Sequence, residues 1–239
     1  MGTSTDRGGG SGGAWTPLKR AATSFMNAAD AGHGTGLAGR RLIARHVAVL
    51  GGAAGALAGA RAGRTGAQRL GSLLSGIASN GLATTLSEQG LSQLIGGDRF
   101  TVLDALAGLI AGDGADVDAQ AARDATFDVL AELFPDADSW ADLDAVQVDA
   151  DELVRLLELF LARYIYNRIP VIAERLARIT DPAKAQRAEE DLQRMVESFV
   201  ALRLPGDPLH VDWDGAEGRK IIEDTLQTVY EALELLEEQ

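Results

Sequence analysis

The sequence predicts an all-α protein, an irregular multi-helix bundle with a disordered Gly/Ser-rich N-terminal tail. Three observations lead there. Apolar side chains recur at helical spacing over most of the chain, and Asp, Pro and Gly stand where helices start and stop. No alternating run supports a series of strands, the short Val146-Gln147-Val148 standing alone. The 239 residues suffice for a real core, and 46% hydrophobic with 24% charged residues is the balance of an ordinary soluble globular chain.

The elements follow in order. Residues 1–15 hold six glycines and no aliphatic side chain beyond Met1 and Ala14, too little apolar area to offset the entropy of ordering, so residues 1–16 read as a flexible tail. No basic segment precedes a hydrophobic one, so no secretory signal is read and a cytoplasmic location is expected. Leu37–Ala60 is predicted helical, with Gly51, Gly55 and Gly59 forming a small-residue seam for close packing. The uncharged run Val47–Ala60 is fourteen residues, short of the roughly 20 that span a bilayer, so no membrane association is expected.

Further helices are predicted at Ala67–Leu86 and Thr101–Ala111, separated by breaks at Gly90, Gly96–Gly97 and Gly112–Gly114. Asp118–Phe134 ends at Pro135, and Asp149–Asn167 opens with Asp149 and Glu152 at capping-box spacing. The latter is apolar on most sides and is expected to be the central buried helix. Pro170 breaks it, with Val171–Ile179 continuing. Asp181-Pro182 opens a helix to about Leu204, residues 205–208 turn, and Asp214 opens the last helix.

Charge is distributed unevenly. Residues 1–75 carry nine Lys/Arg and two acids, a net of +7, and the remainder carries a net of -20, for -13 in all. Twenty-five of 28 glycines lie at or before Gly114. The expected organisation is therefore the tail (1–16), a Gly/Ala/Arg-rich helical region (17–114) and an acidic helical region (115–239) continuous with it. The overall negative charge argues against direct nucleic-acid binding.

Catalytic motifs are scarce. The absence of Cys removes thiolate catalysis, zinc ribbons and iron–sulfur clusters, and His33, His46 and His210 lack metal-ligand spacing. Gly34-Thr35-Gly36-Leu37-Ala38-Gly39 fits the dinucleotide string but lacks the strand before it that the fingerprint requires. Asp113, Asp116 and Asp118 suggest a calcium loop, yet the twelfth position holds Asp124 instead of a bidentate Glu. The acids of 136–151 read as helix caps, without a nearby His for acid–base work. Tyr164 and Tyr166 with Arg163 and Arg168 read as core aromatics lined by arginine, in preference to a base-stacking platform. No catalytic residue, metal site or cofactor is assigned, and a non-enzymatic protein is expected.

The amino terminus is more informative. Met1-Gly2-Thr3-Ser4-Thr5, followed by Gly8-Gly9-Gly10-Ser11-Gly12-Gly13 and Trp15, resembles that of QatB proteins, components of the four-gene Qat anti-phage defence system of bacteria. Past these fifteen residues the likeness is one of general character. The resemblance implies action through partners: a QatC-like relative of the deazaguanine-nitrile synthase of queuosine biosynthesis, an ATPase and a TatD-like nuclease. Such a synthase adenylates a deazaguanine carboxylate for attack by ammonia. By analogy a protein amine could attack instead, leaving a covalent deazaguanine adduct on the acceptor.

Gly2 suits that role. It is small enough for Met1 to be excised, and an α-amine of pKa about 7.7–8.0 is far more often neutral near pH 7 than a lysine at about 10.4. Thr3, Ser4, Thr5, Asp6 and Arg7 are the expected partner-binding part of the tail, Asp6 and Arg7 setting its register. Myristoylation of Gly2 is not expected, since Asp6 stands where that motif places Ser or Thr. The alternative is an oligomeric scaffold or a membrane-active effector using the Gly/Ala-rich helix 47–60.

Overall fold

A computed structural model of the chain describes residues 12–169, 172 and 175–237. Among these the helical periodicity is realised as eleven α-helices and three short 3-10 turns, without a strand. The helices are α1 (Gly12–Asp30), α2 (Gly36–Val49), α3 (Gly52–Gly59), α4 (Arg61–Asn80), α5 (Leu82–Glu88) and α6 (Arg99–Ala111). They continue with α7 (Val117–Leu133), α8 (Trp140–Asp144), α9 (Ala150–Asn167), α10 (Pro182–Glu197) and α11 (Ala216–Glu234). They fall into two compact units. One comprises Met1–Ala58, Ile169–Met195 and Val229–Gln239; the other comprises Gly59–Arg168 and Val196–Thr228. Each draws on both the Gly/Ala/Arg-rich and the acidic parts of the sequence. The first unit holds 11 cationic and 11 acidic residues and the second 11 and 24, so the whole net charge of -13 resides in the second.

In the first unit α1 buries Leu18, Ala22, Phe25 and Ala29, a helical stripe packed on α2. Residues 12–16, assigned to the tail from sequence, are thus the first turn of a helix, whose buried stripe begins directly after them. Residues 1–11, the remainder of the predicted tail, lie outside the described residues. Helix α2 contributes Leu42, Ile43 and Val47 and receives α10 closely at Gly39, where an added Cβ would lie 3.0 Å from Met195 Cε and 3.1 Å from Leu192 Cδ2.

The helix predicted over 37–60 is two helices. Gly51 and Gly52 take φ of +92° and +76°, and α2 and α3 are bent by 71° across them. Two consecutive residues without a Cβ make that left-handed turn accessible, at a lower cost than any other residue pair would bear. The Gly51/Gly55/Gly59 seam is therefore interrupted at its first member. Helix α3 is held at its start by Glu234, whose Oε2 accepts from Ala53 N–H at 3.1 Å.

The second unit is built on α4, which packs against α5, α6, α7 and α9. Its inward face contains Gly63, Gly66 and Gly71. An added Cβ at Gly63 would overlap the Tyr164 ring; at Gly66 it would lie 2.7 Å from Phe160 Cζ, and at Gly71 2.5 Å from Trp213 Cδ2. Phe160 and Tyr164, one turn apart on α9, stack with ring centroids 6.4 Å apart and planes within 5°. Helix α9 buries Leu153, Leu156, Leu157, Phe160, Leu161 and Tyr164, as expected of the central helix.

Several boundaries move for tertiary reasons. Helix α4 begins at Arg61, six residues before the expected start, because Asp118 of α7 accepts from Ala62 N–H at 2.7 Å and caps it from a distance. Helix α10 ends at Glu197, short of Leu204. The N–H groups of Phe199 and Val200 turn to carbonyls three residues back, and Leu202 N–H donates to Glu158 of α9 at 2.8 Å. Asp214 accepts from the Ser72 hydroxyl at 2.6 Å, and α11 starts at Ala216. Asp149 caps α9 through Glu152 N–H at 2.8 Å, but the Glu152 carboxylate faces Arg155 and leaves the predicted box half-made. Of the predicted continuation Val171–Ile179, positions 171, 173 and 174 lie outside the described residues; Arg178 and Ile179 close i−3 turns.

The glycine face gives opposite expectations for two glycines. Gly63→Leu should destabilise the protein by about 1–3 kcal/mol or more through overpacking against a ring that cannot withdraw. Gly108→Ala on α6, with nothing within 4 Å of the added Cβ, should stabilise by about 1 kcal/mol. Urea unfolding of the two variants checks both signs.

Candidate functional site

The residues singled out at the amino terminus, Gly2 and Thr3 through Arg7, lie outside the described residues. The first described segment is α1, ten residues downstream of Gly2. Fully extended, those ten residues could span at most about 36 Å. Trp15 sits in the first turns of α1 and is 40% exposed.

One carboxylate of the second unit joins three helices: Asp118, which the sequence offered only as a calcium-loop candidate. Its Oδ2 caps α4 at Ala62 N–H and its Oδ1 accepts from the Tyr164 hydroxyl. Arg168 Nε lies 3.5 Å from the same Oδ1, and its guanidinium stands 5.5 Å from the centroid of the Tyr164 ring. Arg168 is only 8% exposed, and this carboxylate and this ring are among the groups that compensate its buried charge. Asp118 thereby ties the starts of α4 and α7 to the end of α9. A signal existed in the sequence: Tyr164 and Arg168 are one turn apart on an apolar helix, a position where a buried arginine requires an acid. Which acid was decided by packing.

The other sequence candidates also serve structure. Asp116 caps α7 through Ala119 N–H at 2.8 Å, so the GDGADVD carboxylates point to different partners. Ser139 and Asp142 form a complete capping box on α8, and Asp144 accepts from Ala83 N–H at 3.1 Å. Among the described residues no group of three His, Cys, Asp or Glu is placed to hold a metal ion. In the GTGLAG string, the Thr35 hydroxyl donates to Asp191 at 2.7 Å, Gly36 starts α2 and Gly39 admits α10; the preceding element is helix α1.

Open grooves with charged linings occur in both units. In the first unit, about 280 Å³ is bordered by His33, Thr35, Lys184, Arg187 and Asp191. There Lys184 donates to the Asp30 carbonyl and Asp191 pairs with Arg194 at 2.5 Å. In the second unit, about 360 Å³ is bordered by Glu132, Arg155, Glu158, Arg163 and Glu197, with ion pairs Arg155–Glu132 at 3.4 Å and Arg163–Glu197 at 3.1 Å. The second groove is laced by its own ion pairs, and in the first Lys184 and Asp191 are engaged by neighbouring groups.

Three carboxyls are held below their ordinary range. Asp142 is lowered by the Ser139 hydroxyl and the N–H groups of Asp138 and Ser139, Asp98 by the Thr101 hydroxyl and N–H, and Glu152 by its hydrogen bonds to Arg155.

No described helix is by itself long and apolar enough to cross a membrane. The described residues define an all-helical protein in two units, whose ionisable side chains cap, clamp and pair. A family model, Qat anti-phage system associated protein QatB, matches residues 51–233. The chain belongs to the QatB family and is a component of the Qat anti-phage system. The matched span contains all of the second unit and begins at the α2–α3 break, so it is independent of the amino-terminal residues that carry the resemblance. No curated protein matches the chain. No solved structure matches it.

Two predictions test the polar framework. Asp118→Ala should cost about 3 kcal/mol, because it removes the cap on Ala62, the acceptor of the Tyr164 hydroxyl and an ion-pair partner of Arg168 together, and Tyr164→Phe about 2 kcal/mol; thermal denaturation of the two variants ranks them. The carboxyls with lowered pKa contribute fully above the ordinary carboxyl range, and the contribution disappears as pH falls through their lowered folded values. Melting temperature should therefore drop below about pH 4, and less steeply in Asp142→Asn than in the wild type.

Proposed function

We propose that this QatB-family chain is a modification acceptor and adaptor. Gly2, exposed by removal of Met1, offers its α-amine to a QatC-like, queuosine-pathway-related synthase, and the helical body docks components of the defence complex. The supporting observation is the pairing of family membership over residues 51–233 with a Met1-Gly2 start resembling that of QatB proteins.

Chemically, the neutral α-amine attacks the adenylated carboxyl carbon of a deazaguanine. The amine loses a proton, AMP leaves and an amide bond joins the base to Gly2. Glycine places no side chain against that approach, and an α-amine supplies more neutral nucleophile near pH 7 than any lysine. The capping, clamping and pairing roles of the described carboxylates accord with a protein acted upon by a partner. Thr3, Ser4, Thr5, Asp6 and Arg7 are the residues a synthase pocket would read, in the cytoplasm, with the ATPase and the TatD-like nuclease as further partners.

Intact and N-terminal-peptide mass spectrometry tests the reading, with the chain expressed with and without its synthase-like neighbour. A mass added to the Gly2 peptide only in the enzyme's presence is the expected result. Gly2→Glu should retain Met1, remain unmodified and abolish phage protection with its helical circular dichroism unchanged. Full protection by that variant would refute the acceptor role.

A further inference from the structure

Helix α6 reads RFTVLDALAGLIA and is mostly apolar, with Arg99, Thr101 and Asp104 its polar residues. It turns one face inward, burying Val102, Leu106, Ala107 and Ile110. Phe100 is left 78% exposed and Leu103, one turn on, half-buried. A second aromatic, Phe127 of α7, is 45% exposed. Isolated exposed aliphatics need no explanation, but two exposed phenylalanines on neighbouring helices do.

Helices α6 and α7 pack together and are joined by residues 112–116, a connection short enough to make them antiparallel neighbours. Phe100 lies eleven residues before the end of α6 and Phe127 ten after the start of α7. At about 1.5 Å per residue both stand about 15–17 Å from the connecting loop, level with one another. Asp104 and Asp124, each exposed and seven residues from the loop, form a second level pair about 10 Å from it. Asp98 precedes Phe100 as the cap of α6. The neighbouring cations are engaged: the Arg99 guanidinium lies 5.9 Å from the Phe100 ring centroid and 3.5 Å from Asp138, and the half-buried Arg123, one turn before Phe127, donates to the Gly112 carbonyl at 3.0 Å. Aromatic side chains are thus set among carboxylates, on the unit that carries the entire net charge of -13.

We propose that this face of the α6–α7 hairpin docks a partner protein presenting an apolar pocket rimmed by Lys and Arg, with Phe100 as the inserted anchor and Phe127 beside it. The inference deepens the adaptor half of the proposed function and rests on it. Charge selects the occupant. A second copy would bring like charges together, and an anionic membrane or nucleic acid would meet the same repulsion, whereas a basic-rimmed protein pocket gains both steering and burial. Aromatic anchors at the centre of an interface are the side chains whose truncation weakens binding most.

The test co-expresses the full-length chain with the other Qat components and measures what copurifies, by size-exclusion chromatography and native mass spectrometry. One component is expected to copurify with the wild type. Phe100→Ala/Phe127→Ala should reduce its recovery at least about tenfold, and Asp104→Lys/Asp124→Lys should reduce it at low salt, both with the helical circular dichroism spectrum and a cooperative thermal transition retained. Gly2→Glu should leave copurification intact, so an unmodified Gly2 alongside Phe100-dependent binding would sink the acceptor chemistry and leave the docking face standing. The proposal is overturned if the double alanine variant copurifies its partner as well as the wild type does. Retention of no Qat component by the wild type overturns it too, as does self-association of the purified chain that Phe100→Ala abolishes.

Discussion

The second unit depends on a missing atom, the Cβ that Gly63, Gly66 and Gly71 do not have. Their absence lets α4 lie against the stacked Phe160 and Tyr164 rings and against Trp213 at distances no side-chain-bearing helix could reach. Each buried ring contributes about 2–3 kcal/mol of burial, against about 1 kcal/mol of helix propensity lost per glycine. The exchange is favourable only because the rings arrive, so α4 is helical through tertiary packing. The same packing orients Trp213, whose indole N–H reaches the Pro208 carbonyl at 3.0 Å and whose own carbonyl accepts from Gln68 at 3.1 Å. The loop between α10 and α11 thereby becomes part of the core.

Polar groups complete what the glycines begin. Closing α4 onto α9 buries Arg168 and leaves the first turn of α4 without a local cap, since Ala60 precedes it. Asp118 answers both needs with one carboxylate. An acid-rich chain can spend carboxylates in this way: Asp98, Asp116, Asp149 and the Ser139–Asp142 pair each hold a helix start. What remains is an acidic surface around the α6–α7 hairpin, and its exposed phenylalanines are the residues that packing does not explain.

The candidate site was legible in unequal parts. Gly2, with Thr3 through Arg7 beside it, is proposed from the sequence alone, on the chemistry of an α-amine and a resemblance at the amino terminus, and lies outside the described residues. The rejection of the GTGLAG string, the calcium loop and the acidic run could be argued from spacing, and the described geometry places those residues as helix starts and caps. The anchor role of Phe100 was not legible. In the sequence it is one more apolar residue of an apolar helix, and only the position of α6 on α4 and α7 decides which of its sides is left facing solvent.

The sequence by itself determined the all-helical class, the central place of α9 and the starts of α6, α7, α9, α10 and α11 to within two residues, but not those of α1, α3, α4, α5 or α8. These depend on periodicity and on Asp, Ser and Pro acting within three or four residues of their targets. It also marked the chain as rich in close-packing glycines, but put the seam at Gly51, Gly55 and Gly59, one helix too early. Tertiary structure alone decided that Gly51 and Gly52 break a helix while Gly63, Gly66 and Gly71 seat aromatic rings. It likewise decided that α10 stops at Glu197 to satisfy Glu158 and that Asp118 serves α4 from 56 residues away. The reason is common to all of these: a glycine, a late helix end or a distant cap takes its meaning from the surface brought against it, and that surface is supplied by residues remote in the chain.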